Sequence, residues 1–214
     1  MKGYFITGTD THIGKTFFAC RYLKTLAEQG YSTAVLKPVS SGCIQTNAGL
    51  RNADALLLQA GASLQAPYEW INPFAFEPRI SPNFAAEQIG QTLSVDRIVE
   101  GCQPLLALAR SSKTDYVLIE GAGGWHCPLN EHETIADLAK ALNFPIILVV
   151  GIRLGCLNHT LLTYQSLLNR KVEITGWVAN VCVEDMHSID ENIHYLQERL
   201  DTPLLEKIQY TFRN

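Results

Sequence analysis

The stretch Gly8-Thr9-Asp10-Thr11-His12-Ile13-Gly14-Lys15-Thr16 holds the residue types that phosphate chemistry needs. A glycine loop ahead of a helix turns successive backbone N–H groups toward one point, and the helix N-terminus adds partial positive charge there. A polyphosphate can be held in such a nest largely by main chain, with Lys15 reaching its terminal phosphates and the Thr16 hydroxyl serving as a ligand for Mg²⁺. The general pattern has about four residues between the first glycine and the Gly-Lys pair. This loop has five.

Further clusters fit the same chemistry. Lys37-Pro38-Val39-Ser40-Ser41-Gly42 follows an apolar run, so Lys37 and Ser41 are expected beyond a strand's carboxyl end, where open parallel sheets bind ligands. Glu120-Gly121-Ala122-Gly123-Gly124 follows another such run; the acid suits the nucleotide's Mg²⁺, and the glycines let the backbone approach phosphates closely. Gly155-Cys156-Leu157-Asn158-His159 opens a helix, whose N-terminus can hold a carboxylate as well as a phosphate. Asn180 ends a strand with an amide that can pair with a heterocycle edge. The Asn-Lys-x-Asp run of guanine-binding loops is absent, so adenine is the expected base. Asp54, in the first turn of a short helix, reads by itself as a partner of the helix dipole.

These groups need a frame of alternating strands and helices. The apolar pattern predicts strands over residues 4–7, 32–36, 116–119, 146–150 and 174–179, with a last short strand at 203–205. Helices are expected over 15–29, ending at Gly30, from about 50 with Asn52 as cap, over 134–142, from the Gly155 segment to 168, and over 189–200. Residues 63–82 are poor in periodicity and rich in proline, an irregular excursion expected to line or cover a pocket before helical pieces at 83–89 and 95–109. The 116–119 and 146–150 runs are continuously apolar, as in strands buried on both faces of a parallel sheet. The expected fold is α/β: a single P-loop domain over 1–214, with a mostly parallel central sheet and helices on both faces.

Composition narrows the function. A chain of 214 residues with a formal net charge of −4 and no Lys/Arg cluster is unsuited to nucleic acid as a main partner. No apolar run approaches membrane-spanning length, and the first strand follows Met1-Lys2-Gly3 at once, so a cytoplasmic protein without a signal peptide is expected. The six cysteines are far apart and the six histidines lack metal-ligand spacing, giving no expectation of a disulfide or zinc site. No Gly-x-Ser-x-Gly elbow, internal repeat or low-complexity tract is present.

Five spaced blocks in order, Gly8-Thr9-Asp10-Thr11-x-x-Gly14-Lys15-Thr16, Lys37-Pro38-Val39-x-Ser41-Gly42, Leu50-Arg51-Asn52-x-Asp54-Ala55-Leu56, Glu120-Gly121-Ala122-Gly123-Gly124-Trp125 and Gly155-Cys156-Leu157-Asn158-His159, make the chain resemble the dethiobiotin synthetases. The likeness runs from Tyr4 to Asn180 and includes the lengthened phosphate loop. It implies an ATP-dependent cyclo-ligase of biotin synthesis, joining CO₂ to 7,8-diaminononanoate (diaminopelargonate) as a carbamate. ATP phosphorylates the carbamate, and the second amine then closes the cyclic urea. The resemblance assigns Lys15 and Lys37 to the carbamate and the transferring phosphate, Thr11 and Ser41 to the substrate, and Thr16, Asp54 and Glu120 to Mg²⁺. It assigns His12, Ile13, Gly14, Gly121, Ala122 and Gly123 to ATP with them, and Asn180, Val181 and backbone near Gln209 to adenine. Gly155, Cys156, Leu157 and Asn158 are implied to hold the substrate's far carboxylate from a neighbouring subunit, hence a homodimer with the site at its interface.

The sequence departs from the family at His12, where Glu is common, and after Pro203, where a glycine and a second proline are missing. The family's tyrosine contact has no assigned counterpart between Asp185 and Tyr195. The rival reading is a partition-type or iron-protein-like ATPase, which switches a dimer and makes no bond. Such proteins carry an extra lysine early in the loop, where this chain has Thr9-Asp10-Thr11. Lys37 with Ser41 beside the phosphates also favours the ligase.

Overall fold

The computed structural model describes residues 1–184 and 186–210. In chain order its elements are β1 (Lys2–Gly8), α1 (Lys15–Glu28), β2 (Thr33–Leu36), β3 (Val39–Ser40), β4 (Ile44–Thr46), β5 (Gly49–Arg51), α2 (Ala53–Gly61), α3 (Tyr68–Ile71), β6 (Phe74–Ala75), α4 (Pro82–Glu87), α5 (Val95–Ser111), β7 (Tyr116–Glu120), α6 (Ile135–Leu142), β8 (Ile146–Ile152), α7 (Cys156–Asn169), β9 (Ile174–Val181), α8 (Ile189–Gln197) and β10 (Leu204–Ile208).

Six strands form one sheet in the order β10-β9-β8-β1-β7-β2. Every pairing in it is parallel. β8 shows why: all seven of its residues, Ile-Ile-Leu-Val-Val-Gly-Ile, are buried, so water can solvate neither face and helices must cover both. The crossover from β1 to β2 advances toward one edge of the sheet, and each later crossover between its strands advances toward the other. Right-handed crossovers therefore put α1 on one face and α6, α7 and α8 on the opposite one. The reversal falls beside β1, which opens a crevice at the carboxyl ends of β1, β7 and β2.

The expected strands and main helices are present; all but one of the sheet's strands run longer than expected, while α1, α6 and α8 are shorter, α8 ending at Gln197. Asn52 caps α2 by accepting from the Ala55 N–H at 3.2 Å, and Gly30 takes the left-handed φ of 81° just past α1. The start of the second helix is corrected: Leu50 and Arg51 lie in β5, which pairs antiparallel with β4 in an exposed hairpin. The excursion at 63–82 contains α3 and β6, and β6 pairs in parallel with β3 through Val39↔Phe74 and Ser40↔Ala75. This two-residue pairing ties the excursion to the segment after Lys37.

A buried plug fixes the phosphate loop to the sheet. The Ile13 side chain is 1% exposed. A Cβ added to Gly8 would fall 2.6 Å from Ile13 Cδ1, and one added to Gly151 would fall 2.5 Å from Ile13 Cγ2. Glycine on two neighbouring strands is what lets this side chain sit down between them. Gly151→Ala is therefore expected to lift Ile13 and the loop with it, costing about 1–3 kcal/mol in urea denaturation and weakening nucleotide binding. An unchanged midpoint and an unchanged ATP affinity would show that the plug does not seat the loop.

Candidate active site

The loop after β1 ends in left-handed backbone, with φ of 58° at His12 and 86° at Gly14. Gly14 caps α1 without a side chain, so no side chain satisfies the first N–H groups of the helix. The N–H groups of Lys15 and Thr16 there are placed to donate to an anion. Lys15 is buried, and its ammonium curls back over the loop to donate to the Asp10 carbonyl at 3.0 Å. Burial, then repulsion from Lys37, pulls its pKa down to about 8. Asp10 is held in turn by an ion pair with Arg153.

Beside the loop lies a buried array of charges. Glu120, at the tip of β7, accepts from Thr16 Oγ1 at 2.9 Å and from Lys37 Nζ at 2.5 Å, both on Oε1. Lys37 Nζ also donates to the Gly121 carbonyl at 3.3 Å and lies 3.8 Å from Asp54 Oδ2. Burial pulls the Lys37 pKa down, but Glu120 and Asp54 outweigh it and the net displacement is upward. Lys37 is thus a firmly held ammonium inside the protein. Glu120 is 2% exposed, and its Oε2 has no hydrogen-bond partner among the described residues. A buried carboxylate oxygen without a donor is costly, which is a physical reason to look for a missing cation or donor there.

Lys37 and its neighbours are held by a hydrogen-bonded chain rooted in the irregular excursion. Asn72 donates to the Lys37 carbonyl at 2.6 Å and accepts from Ser40 Oγ at 2.7 Å and from the Tyr68 hydroxyl at 3.1 Å. The Tyr68 hydroxyl accepts in turn from the Asn52 N–H at 2.7 Å, linking this chain to the start of α2 and so to Asp54. Neither Asn72 nor Tyr68 is among the expected site residues. Asn72-Pro73 carries only a turn signal in the sequence.

These groups open into a cleft of about 780 Å³, large enough for a nucleotide with a small partner. Thr11, His12, Gly14, Lys15, Thr16, Lys37, Ser41, Asp54, Glu120, Ala122 and Gly123 all line it, as do Arg79, Ser81 and Cys127, which the sequence does not single out. Ile13 and Gly121 lie beneath it, buried. A Cβ on Gly123, at φ 59°, would fall 2.9 Å from Cys127 Sγ.

A family model described as an AAA domain matches residues 2–211. The ATP-dependent dethiobiotin synthetase BioD of Cellvibrio japonicus is 48% identical over 204 residues, covering 95% of this chain and 87% of that protein. The chain belongs to the dethiobiotin synthetase family. The BioD of Pseudomonas paraeruginosa is 46% identical over 97% of this chain and 90% of its own, and that of Aeromonas hydrophila 40% over 98% and 91%. Among solved structures, cell division protein FtsY from Thermotoga maritima matches with a TM-score of 0.57 at 14% identity, covering 98% of this chain and 62% of that one. The MinC:MinD cell division protein complex from Aquifex aeolicus matches at 0.57 and 12% identity, over 99% of this chain and 82% of that one. At such identities the likeness is one of fold.

Two groups that the dethiobiotin synthetase resemblance singles out lie outside the cleft. Asn180, Val181 and Gln209 share one edge, since Ile208 is in register with Asn180. The Asn180 amide donates to the Ile13 carbonyl at 2.6 Å, and its buried Oδ1 has no partner among the described residues, leaving an acceptor for an amino group such as that of adenine. Gly155, Cys156, Leu157 and Asn158 form the start of α7, again without a side-chain cap, and do not line this chain's own cleft. In the 185–195 stretch, Asp185 lies outside the described residues; Tyr195 stacks under the Arg199 guanidinium, 3.5 Å from its ring centroid.

Lys15 is the group whose charge is most exposed to change. In the ligand-free protein its ammonium is expected to titrate near 8, and tripolyphosphate should raise that midpoint, because an opposite charge favours the protonated form. NMR of lysine labelled at Cε reads this directly. A ligand-free midpoint at the ordinary lysine value would contradict the burial that the structure gives it.

Proposed function

We propose that the cleft closes the cyclic urea of dethiobiotin from CO₂, 7,8-diaminononanoate and ATP, as the ligase step of biotin biosynthesis, with residues 1–214 acting as one catalytic domain. The observation that carries this reading is the Thr16–Glu120–Lys37 array beside Lys15: two ammonium groups on the floor of one cleft, next to a helix N-terminus that has no side-chain cap.

The chemistry gathers anions. An amine adds to CO₂ and loses a proton to give a carbamate; a carbamate oxygen attacks the γ-phosphorus while its bond to ADP breaks; the second amine then attacks the carbonyl carbon, and phosphate leaves. With so many negative charges, catalysis is positioning and neutralisation. The N–H groups of the loop and first turn of α1 hold the phosphates, and Lys15 exchanges the Asp10 carbonyl for a phosphate oxygen. Lys37 faces carbamate and γ-phosphate together, with Thr11 and Ser41, which line the same cleft, fixing the amine substrate. Because Asn72 holds the Lys37 main chain, little reorganisation is needed as charge moves between the reactants. Asn180, Val181 and backbone near Gln209 take the adenine.

Thr16, Asp54 and Glu120 would hold Mg²⁺, which when bound neutralises phosphate oxygens. The unpartnered Glu120 Oε2 fits that role. Among the described residues no three His, Cys, Asp or Glu side chains form a metal cluster, which suits an ion that keeps waters and phosphates as most of its ligands. Glu120 Oε1 is engaged by Thr16 and Lys37, so filling the site requires those contacts to be rearranged.

A homodimer would bring the α7 start of one subunit to the other's cleft, to hold the substrate carboxylate. Leu154, 95% exposed, and Leu162 offer apolar surface beside that segment. No helix among the described residues is long and apolar enough to cross a membrane.

Purified protein is expected to form a cyclic urea, detected by mass spectrometry, only when ATP, Mg²⁺, bicarbonate and the diamine are all present. Equal ATP turnover without the diamine would instead favour a nucleotide switch. Lys37→Ala should lower turnover by about 10²–10³-fold while changing ATP affinity far less. Unchanged turnover in that variant would remove Lys37 from the mechanism.

A further inference from the structure

Arg79 is the one cleft residue of strong charge that neither the family likeness nor the buried array uses. Arg21, Arg153 and Arg170 each pair with a carboxylate, Glu206, Asp10 and Asp137 respectively. Arg79 lines the cleft yet makes no hydrogen bond or ion pair among the described residues. Its position is nonetheless built. Gly42 N–H donates to the Pro78 carbonyl at 3.0 Å and Cys43 N–H to the Phe76 carbonyl at 2.9 Å, which straps the Arg79 loop to the segment after Ser41. The arginine stem then lies across Gly42: a Cβ there would fall 3.1 Å from Arg79 Cγ, and Gly42 has a φ of 71°. The backbone at residue 42 thus leaves room for the stem; Arg79 is exposed, and its guanidinium has no counter-charge among the described residues.

From this juxtaposition we propose that Arg79 is a further binding residue of the cleft, clasping an oxyanion of the bound reactants. The inference rests on the reading of the cleft as the site of ATP and the diamino acid. A guanidinium presents paired N–H groups that match phosphate and carboxylate oxygens alike, so the source is either the polyphosphate or the carboxylate of the amine substrate. Both are anionic, and Lys15 and Lys37 are occupied deeper in the cleft. An exposed cation of the cleft fits the part of either reactant that extends outward.

The test uses the full chain, calorimetric titration, and the variants Arg79→Met, which keeps the apolar stem over Gly42, and Arg79→Lys, which keeps the charge without the fork. The probes are inorganic tripolyphosphate, ATP with Mg²⁺, the diamino acid and its methyl ester. Arg79→Met should weaken at least one anionic probe by about five- to tenfold, with Arg79→Lys recovering part of the loss. Loss toward tripolyphosphate and ATP assigns the contact to the phosphates. Loss toward the diamino acid and not toward its ester assigns it to the carboxylate. Affinities all within about twofold of wild type, in a variant that melts normally, would overturn the proposal. So would equal loss for acid and ester with no loss for the phosphates, since that reports packing and not charge. If wild-type protein forms no cyclic urea, the reading of the reaction falls, and the tripolyphosphate arm still decides whether Arg79 binds an oxyanion.

Discussion

A buried ammonium and a buried carboxylate, 2.5 Å apart at the floor of the cleft, set the terms for the rest of the molecule. Taking either charge out of water alone is prohibitive, so Lys37 and Glu120 must be delivered together from two strands, β2 and β7, that pair side by side. Thr16 reaches the same carboxylate oxygen from α1. Three elements distant in sequence are thereby held to one point, and that point is where the parallel sheet opens. Such pairs rarely raise stability over an apolar alternative. Their presence here fits a cleft proposed to receive anions.

The phosphate loop is rigid for a different reason. Ile13 drops between Gly8 and Gly151, and its carbonyl accepts from Asn180, so side chain and main chain of one residue pin the loop to β1, β8 and β9. A loop seated in this way keeps its N–H groups pointing at one place with no ligand to order them. The cost of organising a site for several negative charges is met during folding, and little remains when substrate binds. Lys15 is held less firmly: its ammonium rests on a neutral carbonyl, a weaker partner than an anion.

The sequence makes the loop, Lys37 and Glu120 legible because each follows an apolar run that can only be a strand, and strand tips in a parallel sheet converge. Asp54 reads by itself as a helix-dipole partner; only the family likeness implies a place at the site, and in the structure it lines the cleft. The β4–β5 hairpin escapes because its β4 residues are all exposed and carry no alternation. Asn72, Tyr68 and Arg79 escape because their places depend on long-range contacts, with the Lys37 carbonyl, the Asn52 N–H and Gly42 respectively, that no local period encodes. At the start of α7 an anion site reads clearly from the helix opening, yet the chain's own cleft does not include it.

The account stands on the mutual dependence of Lys37 and Glu120, which a double-mutant cycle in urea denaturation measures. Lys37→Met and Glu120→Gln should each destabilise by about 3–5 kcal/mol, since each leaves a buried charge without its partner. The double variant should be more stable than either single one. Strictly additive losses would contradict the account, because the two charges would then be sustained by something other than each other.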